Sequence, residues 1–193
     1  MERAGSLDYP AMALADRGGV YGAPRFHQAA KRAGIRPILG AEIDLEEARS
    51  ETASPPRRLL LLVESPEGWR RLCRLLTLGH LGRDKAECRI GWDQLEEYAR
   101  DLTVLLRGDA GLSPDFLDRV RGIFGPDPER IWVDISRPLN RHTAAISRRA
   151  VAIAESLKIP IVATGDVRCA EPRGRMLLDA LNCLREKTHL DAA

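Results

Sequence analysis

At 193 residues, 44% of them hydrophobic, the chain can bury one sizeable core, and its length alone points to a single domain. Thirty Lys and Arg stand against 28 Asp and Glu, a formal charge of +2, which excludes the strong general attraction to nucleic acid or anionic membrane of a highly basic chain. Cys73, Cys88, Cys169 and Cys183 are widely spaced with no CxxC pair, nothing resembles a signal peptide, and the longest apolar run, residues 59–63, falls far short of the ~20 residues that cross a bilayer. These features predict reduced thiols in a cytoplasmic protein with no membrane segment.

Taken in chain order, a helix-like stretch at 2–7 precedes a first strand at 12–15. A helix at 23–33 follows, closed by Gly34 as its C-terminal glycine, and then a strand at 37–41. Residues 46–57 break the rhythm with acidic residues followed by Ser, Thr and Pro-Pro, which predicts an exposed loop. A strand at 59–63 leads through Ser65-Pro66-Glu67, an N-cap with proline in the first turn, into a helix at 66–79. Beyond it the pattern predicts a helix at 92–100, a strand at 102–106, a helix at 114–124, a strand at 131–135, a helix at 140–157 and a strand at 160–163. Short apolar runs alternating with amphipathic helices give an α/β chain of parallel strands joined by helical crossovers. The strands lack clean alternation, as when both faces are buried. A βα repeat that opens on its helix implies a missing preceding strand.

Active sites of such folds collect at the C-terminal ends of strands. Asp16, Glu42 and Asp166 each follow a predicted strand, so three carboxylates would converge on one mouth and could hold divalent metal. Against this, an acid at a strand end often caps the following helix. His27, His80, His142 and His189 are scattered without HxH or HxxxH spacing and are not read as ligands. Gly18-Gly19 and Gly22 fit a tight strand-to-helix turn, since no GxGxxG spacing or Walker lysine accompanies them. The arginine clusters at 70–74, 148–149 and 173–175 read as solvated helix surface, and Trp69, Trp92 and Trp132 as packing residues. Cys169 lies near the expected mouth without a partner histidine.

The segment ALADRGGVYGAPRFHQAAKRAGIRPILGAEI, residues 13–43, resembles the block that follows the first strand in the polymerase-and-histidinol-phosphatase (PHP) domain of bacterial DNA polymerase III α subunits. LLLLVESPEGWRRLCRLLT, residues 59–77, and IPIVATGDVRCAEPRGRMLLDALNCLREKTHLDAA, residues 159–193, are similar to later blocks of the same domain, the last leading towards the polymerase body from about residue 170. Tyr21-Gly22-Ala23-Pro24-Arg25-Phe26-His27 and Asp166-Val167-Arg168 look closer to the error-prone branch.

The resemblance implies a distorted seven-stranded, TIM-like (βα)7 barrel, here without its first strand, with a cluster of histidines and carboxylates at its mouth. It also implies a parent protein that carries out DNA-templated DNA synthesis in replication, repair and translesion synthesis as a nucleotidyltransferase. The departures are consistent. The first His-x-His motif is absent, Asp-His reads Asp16-Arg17, the histidine before the third strand run aligns with Arg58, and the closing Asp-x-His reads Asp166-Val167-Arg168. Carboxylates survive and histidines do not. Arginine stays protonated and has no lone pair to offer a metal, so Arg17, Arg58 and Arg168 are expected to pair with Asp16, Glu42 and Asp166 as a salt-bridged plug.

The expectation is a noncatalytic portion of an error-prone polymerase, without a cofactor, whose partner is the polymerase body and which meets DNA through it. Two alternatives stand beside it. One is a free-standing phosphoesterase holding Zn, Mn or Mg on Asp16, Glu42 and Asp166; the other is a module that binds a polymerase partner.

Overall fold

The structure, a computed structural model, describes residues 1–46, 57–84, 87–109, 111–135, 141–165 and 167–190. The chain divides into two compact units, Met1–Ala163 and Thr164–Ala193. The loop expected at 46–57 and the acid Asp166 lie outside the described residues, apart from Glu46 and Arg57 at the loop's ends.

In the first unit a short helix α1 (Glu2–Gly5) leads into strand β1 (Ala11–Arg17), helix α2 (Ala23–Ala33) and strand β2 (Arg36–Leu45). Strand β3 (Arg57–Val63), helix α3 (Pro66–His80), strand β4 (Arg89–Ile90), helix α4 (Trp92–Tyr98) and strand β5 (Leu102–Arg107) come next. Helix α5 (Pro114–Phe124), strand β6 (Ile131–Asp134), helix α6 (Arg141–Ser156) and strand β7 (Ile161–Val162) complete it. The second unit contains helix α7 (Gly174–Glu186).

Local chemistry explains the helix boundaries. The Ser65 hydroxyl accepts from the Gly68 amide at 3.1 Å with Pro66 in the first turn, and Ser113 accepts from Phe116 at 3.3 Å with Pro114 behind it; each satisfies an amide that the helix itself leaves free. Gly34 closes α2 in the left-handed region at φ 68°, where a Cβ would be penalised.

The strands form one sheet in the order β1, β2, β3, β5, β6, β7, with the short β4 also paired to β2. It is a distorted, incomplete (βα)-type barrel that curls through about 186°. The all-parallel expectation is corrected at one strand: β3 runs antiparallel to both β2 and β5, while the β1–β2, β5–β6 and β6–β7 pairs are parallel. An apolar run reads alike in both directions, so periodicity could not reveal this reversal. Its consequence is that the beginning of β3 lies at the same rim as the ends of β1, β2, β5 and β6.

Side chains alternate between the two faces of each strand. One face carries Ala41, Ile43, Leu45, Leu59, Leu61, Val104, Leu106 and Val133, all buried in a continuous core with Leu72, Leu75, Leu95, Leu117, Val120 and Phe124 from the covering helices. Each such Val, Leu, Ile or Phe side chain contributes roughly 1.5–3 kcal/mol of burial. This helix-covered face is the outer side of the curl. The inner face is less completely buried: Leu60 and Leu62 are part-buried between the fully buried Leu59 and Leu61, although Leu105 on the inner face is buried as well. The expectation of strands buried on both faces therefore holds fully for one face only.

Candidate functional site

The site is best located by register. In the parallel β1–β2 pair Arg17 stands beside Glu42, and in the antiparallel β2–β3 pair Asp44 stands opposite Arg58 and Glu42 opposite Leu60. Leu60 stands opposite Leu105, which neighbours Trp132, while Arg107 neighbours Asp134. One residue beyond the paired outer residues Leu59 and Leu106, Arg58 and Arg107 share the inner face. Two layers result. A rim row holds Asp44, Arg58, Arg107 and Asp134, and the row beneath holds Arg17, Glu42, Leu60, Leu105 and Trp132.

Within these rows, Asp44 accepts from two arginines: Arg17 Nη2 donates to Oδ2 at 2.8 Å and Arg58 Nε donates to Oδ1 at 3.2 Å. Arg107 Nη1 donates to Glu42 Oε1 at 3.3 Å. The Asp44 hydrogen bond holds the Arg17 guanidinium above the ordinary arginine pKa, outweighing the opposing effect of burial.

Asp16 is placed differently from the expectation. It stands beside Ala41, a residue of the helix-covered core, so period two puts it on the opposite face from Arg17 and Glu42. There its Oδ2 accepts from the Gly22 amide at 2.6 Å, organising the turn into α2. Gly18, at φ 63°, supports the same turn, and the His80 ring nitrogen Nε2 lies 2.7 Å from the Gly18 carbonyl oxygen. The glycines thus serve a tight connection, and His80 pins it to the end of α3. His27 is exposed.

The structure accordingly brings Arg17, Glu42 and Arg58 to one face, with the arginine-to-carboxylate pairs drawn differently from the expected set. The acid shared by Arg17 and Arg58 is Asp44, and the arginine on Glu42 is Arg107. Asp44 and Arg107 both lie beyond the expected strand ends, at 41 for β2 and 106 for β5. Extended to Leu45, the strand shows Glu42-x-Asp44 at the spacing that puts two acids on one face, which was the available signal. Glu42 lies within the strand rather than beyond its end. Arg168 belongs to the second unit and Asp166 lies outside the described residues.

A metal cluster of the kind the fold family implies does not fit the described residues. Among them no group of three or more His, Cys, Asp and Glu is placed to hold an ion. Both Asp44 oxygens and one Glu42 oxygen already accept from arginine, and a guanidinium competes with a cation for the same lone pairs. All four cysteines are free thiols. Burial pushes the Cys73 and Cys88 thiols above the ordinary cysteine range, which leaves them protonated and poor nucleophiles at neutral pH.

The chain is 35% identical over 217 residues to an error-prone DNA polymerase of Mycolicibacterium paratuberculosis, covering 100% of this chain and 19% of that protein. It is 30% identical over 193 residues to error-prone DNA polymerase 1 of Agrobacterium fabrum, covering 100% of this chain and 17% of the relative. The chain thus spans less than a fifth of the length of these relatives. Among solved structures, a Bifidobacterium adolescentis protein named for metal-dependent phosphoesterase activity shares the fold at TM-score 0.60 and 13% identity, over 89% of this chain and 82% of that one. An amidohydrolase from Chromobacterium violaceum does so at 0.53 and 11%, over 89% and 81%. The PHP domain model matches residues 1–152, most of the chain: the chain belongs to the PHP domain family.

Proposed function

We propose that the chain is the PHP portion of an error-prone DNA polymerase of the III α type, acting as a noncatalytic support for the polymerase body. The observation that carries this reading is the occupation of Glu42 and Asp44 by Arg107, Arg17 and Arg58. Three guanidinium groups supply at the rim the positive charge that a metal would supply, and do so without a site where water could be activated. The relatives' names favour the error-prone branch. DNA synthesis belongs in this reading to the rest of the parent protein, and contact with DNA is made through that body. No described helix is long and apolar enough to cross a membrane.

Metal analysis of the purified chain, together with a phosphoesterase assay on a chromogenic phosphodiester, tests the reading. Substoichiometric Mn and Zn and no chelator-sensitive hydrolysis are expected. Stoichiometric metal that is lost on Glu42→Gln or Asp166→Asn would overturn it, and would favour a free-standing phosphoesterase.

A further inference from the structure

Strand β1 stands at one edge of the sheet and β7 at the other, and the two edges are not alike. β7 is two residues long, and so short an edge strand offers an incoming chain little to pair with. β1 runs for seven residues and, among the described residues, pairs with no strand other than β2. Its bonds to β2 tell which of its backbone groups are left over. The Pro10 carbonyl accepts from the Arg36 amide at 3.1 Å, and the Gly18 amide donates to the Glu42 carbonyl at 2.7 Å. Backbone groups alternate in direction along a strand, so even-numbered residues face β2, and the amides and carbonyls of Ala11, Ala13 and Ala15 face outward. Over residues 11–15 the sequence Ala-Met-Ala-Leu-Ala carries no charge and no proline, and so lacks the devices that blunt an exposed edge.

We propose that this edge takes the β1 of a second copy of the chain, antiparallel, about a two-fold axis at Ala13. Residues 11–15 read alike in both directions by size: in that register Ala13 meets its own counterpart, Ala11 meets Ala15, and Met12 meets Leu14. The outward amide and carbonyl of each alanine then find those of its opposite number, as in the hydrogen-bonded pairs of an antiparallel ladder, and the patch is self-complementary as a two-fold interface requires. An axis normal to the sheet keeps Met12 and Leu14 of both copies on the helix-covered side and the alanines on the inner side, where Ala13 is exposed. Asp16 and Arg17 fall outside the paired residues, so no like charges oppose each other. Helix α2 packs on β2, and the two β2 strands would lie three strand spacings apart, roughly 14 Å; packed helix axes need only about 8–10 Å, so both α2 helices have room. Antiparallel pairing also brings Leu7 and Tyr9, exposed ahead of β1, to the same end as the second copy's Tyr21, exposed after it. The inference is independent of the metal-free reading, because it rests on strand pairing alone.

The full chain is followed by sedimentation equilibrium from about 1 μM to about 1 mM, a span that brackets the affinity of a small interface. A reversible monomer–dimer equilibrium is expected. Ala13→Pro removes an outward amide without touching the bonds to β2, and proline is tolerated at such an edge position. It should weaken association at least about tenfold, for the loss of a symmetric pair of hydrogen bonds. Ala13→Lys and Ala13→Glu each place like charges face to face across the axis and should weaken it comparably, whereas an equimolar mixture of the two should recover a dimer containing one of each. Because Ala13 is exposed, these two variants keep the fold, which circular dichroism checks, and their mixture decides the matter even if the proline variant does not fold. A parent chain that stays monomeric throughout would overturn the proposal. So would a dimer that the variants leave unchanged, or a lysine and glutamate mixture that stays monomeric, since either result takes the contact away from Ala13.

Discussion

The two faces of the sheet are made by alternate residues of the same strands, yet they obey different rules. Leu59 and Leu61 are fully buried under helices, while Leu60 and Leu62, their immediate neighbours, are only part-buried on the inner side. The outer face is buried as a protein interior is, where a change of one methylene is felt. The inner face has a polar rim that tolerates paired charges. Stability is thus concentrated on one side of the sheet and chemistry on the other. A domain built this way can exchange residues of its rim without losing its fold.

The sharpest test of this division is a pair of truncations. Leu61→Ala should cost about 2–5 kcal/mol in denaturant unfolding, the range for a buried leucine, and Leu62→Ala distinctly less, on the order of 1 kcal/mol. Equal losses would remove the distinction between the faces. Gly40→Ala probes the inner side at the β2–β3 pair. A Cβ there would overlap the Leu61 carbonyl oxygen, and overpacking of this kind costs about 1–3 kcal/mol. A neutral result would show that the sheet relaxes freely.

Asp44→Ala leaves Arg17 and Arg58 without their shared acceptor. Because both guanidinium groups reach solvent, the loss should be only about 1 kcal/mol, and it should shrink in 1 M salt, where screening is short-ranged. A salt-independent loss of several kcal/mol would place this cluster with the buried core instead.

The smallest effect concerns pH. Cys88 has its pKa raised by burial, reinforced by the charge of Asp44. Above the ordinary cysteine pKa the unfolded chain releases that proton first, so stability is complete below about pH 8.5 and falls as pH rises further. Unfolding midpoints between pH 8 and 10 should therefore decline more steeply in the parent chain than in Cys88→Ala, and parallel slopes would refute the assignment.

Much of the scaffold was legible in the sequence, and the reasons are specific. Helices α2 and α5 were bounded correctly because Gly34, Ser113 and Pro114 are strong local punctuation. The short β4 carries too few residues for any period, and α7 was absorbed into an expected connection despite its apolar spacing. The site was less legible for two physical reasons. Polar residues inside β2 look like the end of a strand, so Glu42 and Asp44 were not seen as same-face neighbours. The direction of β3, which delivers Arg58 to the rim, is invisible to hydrophobic pattern. Which acid each arginine meets is a matter of register.

The shared carboxylate of Arg17 and Arg58 also sets how the rim tolerates change. Replacing either arginine alone leaves the other cation on Asp44, so the acid keeps a partner. Replacing both leaves a part-buried carboxylate unbalanced. The two arginines back each other up, and the second replacement costs more than the first.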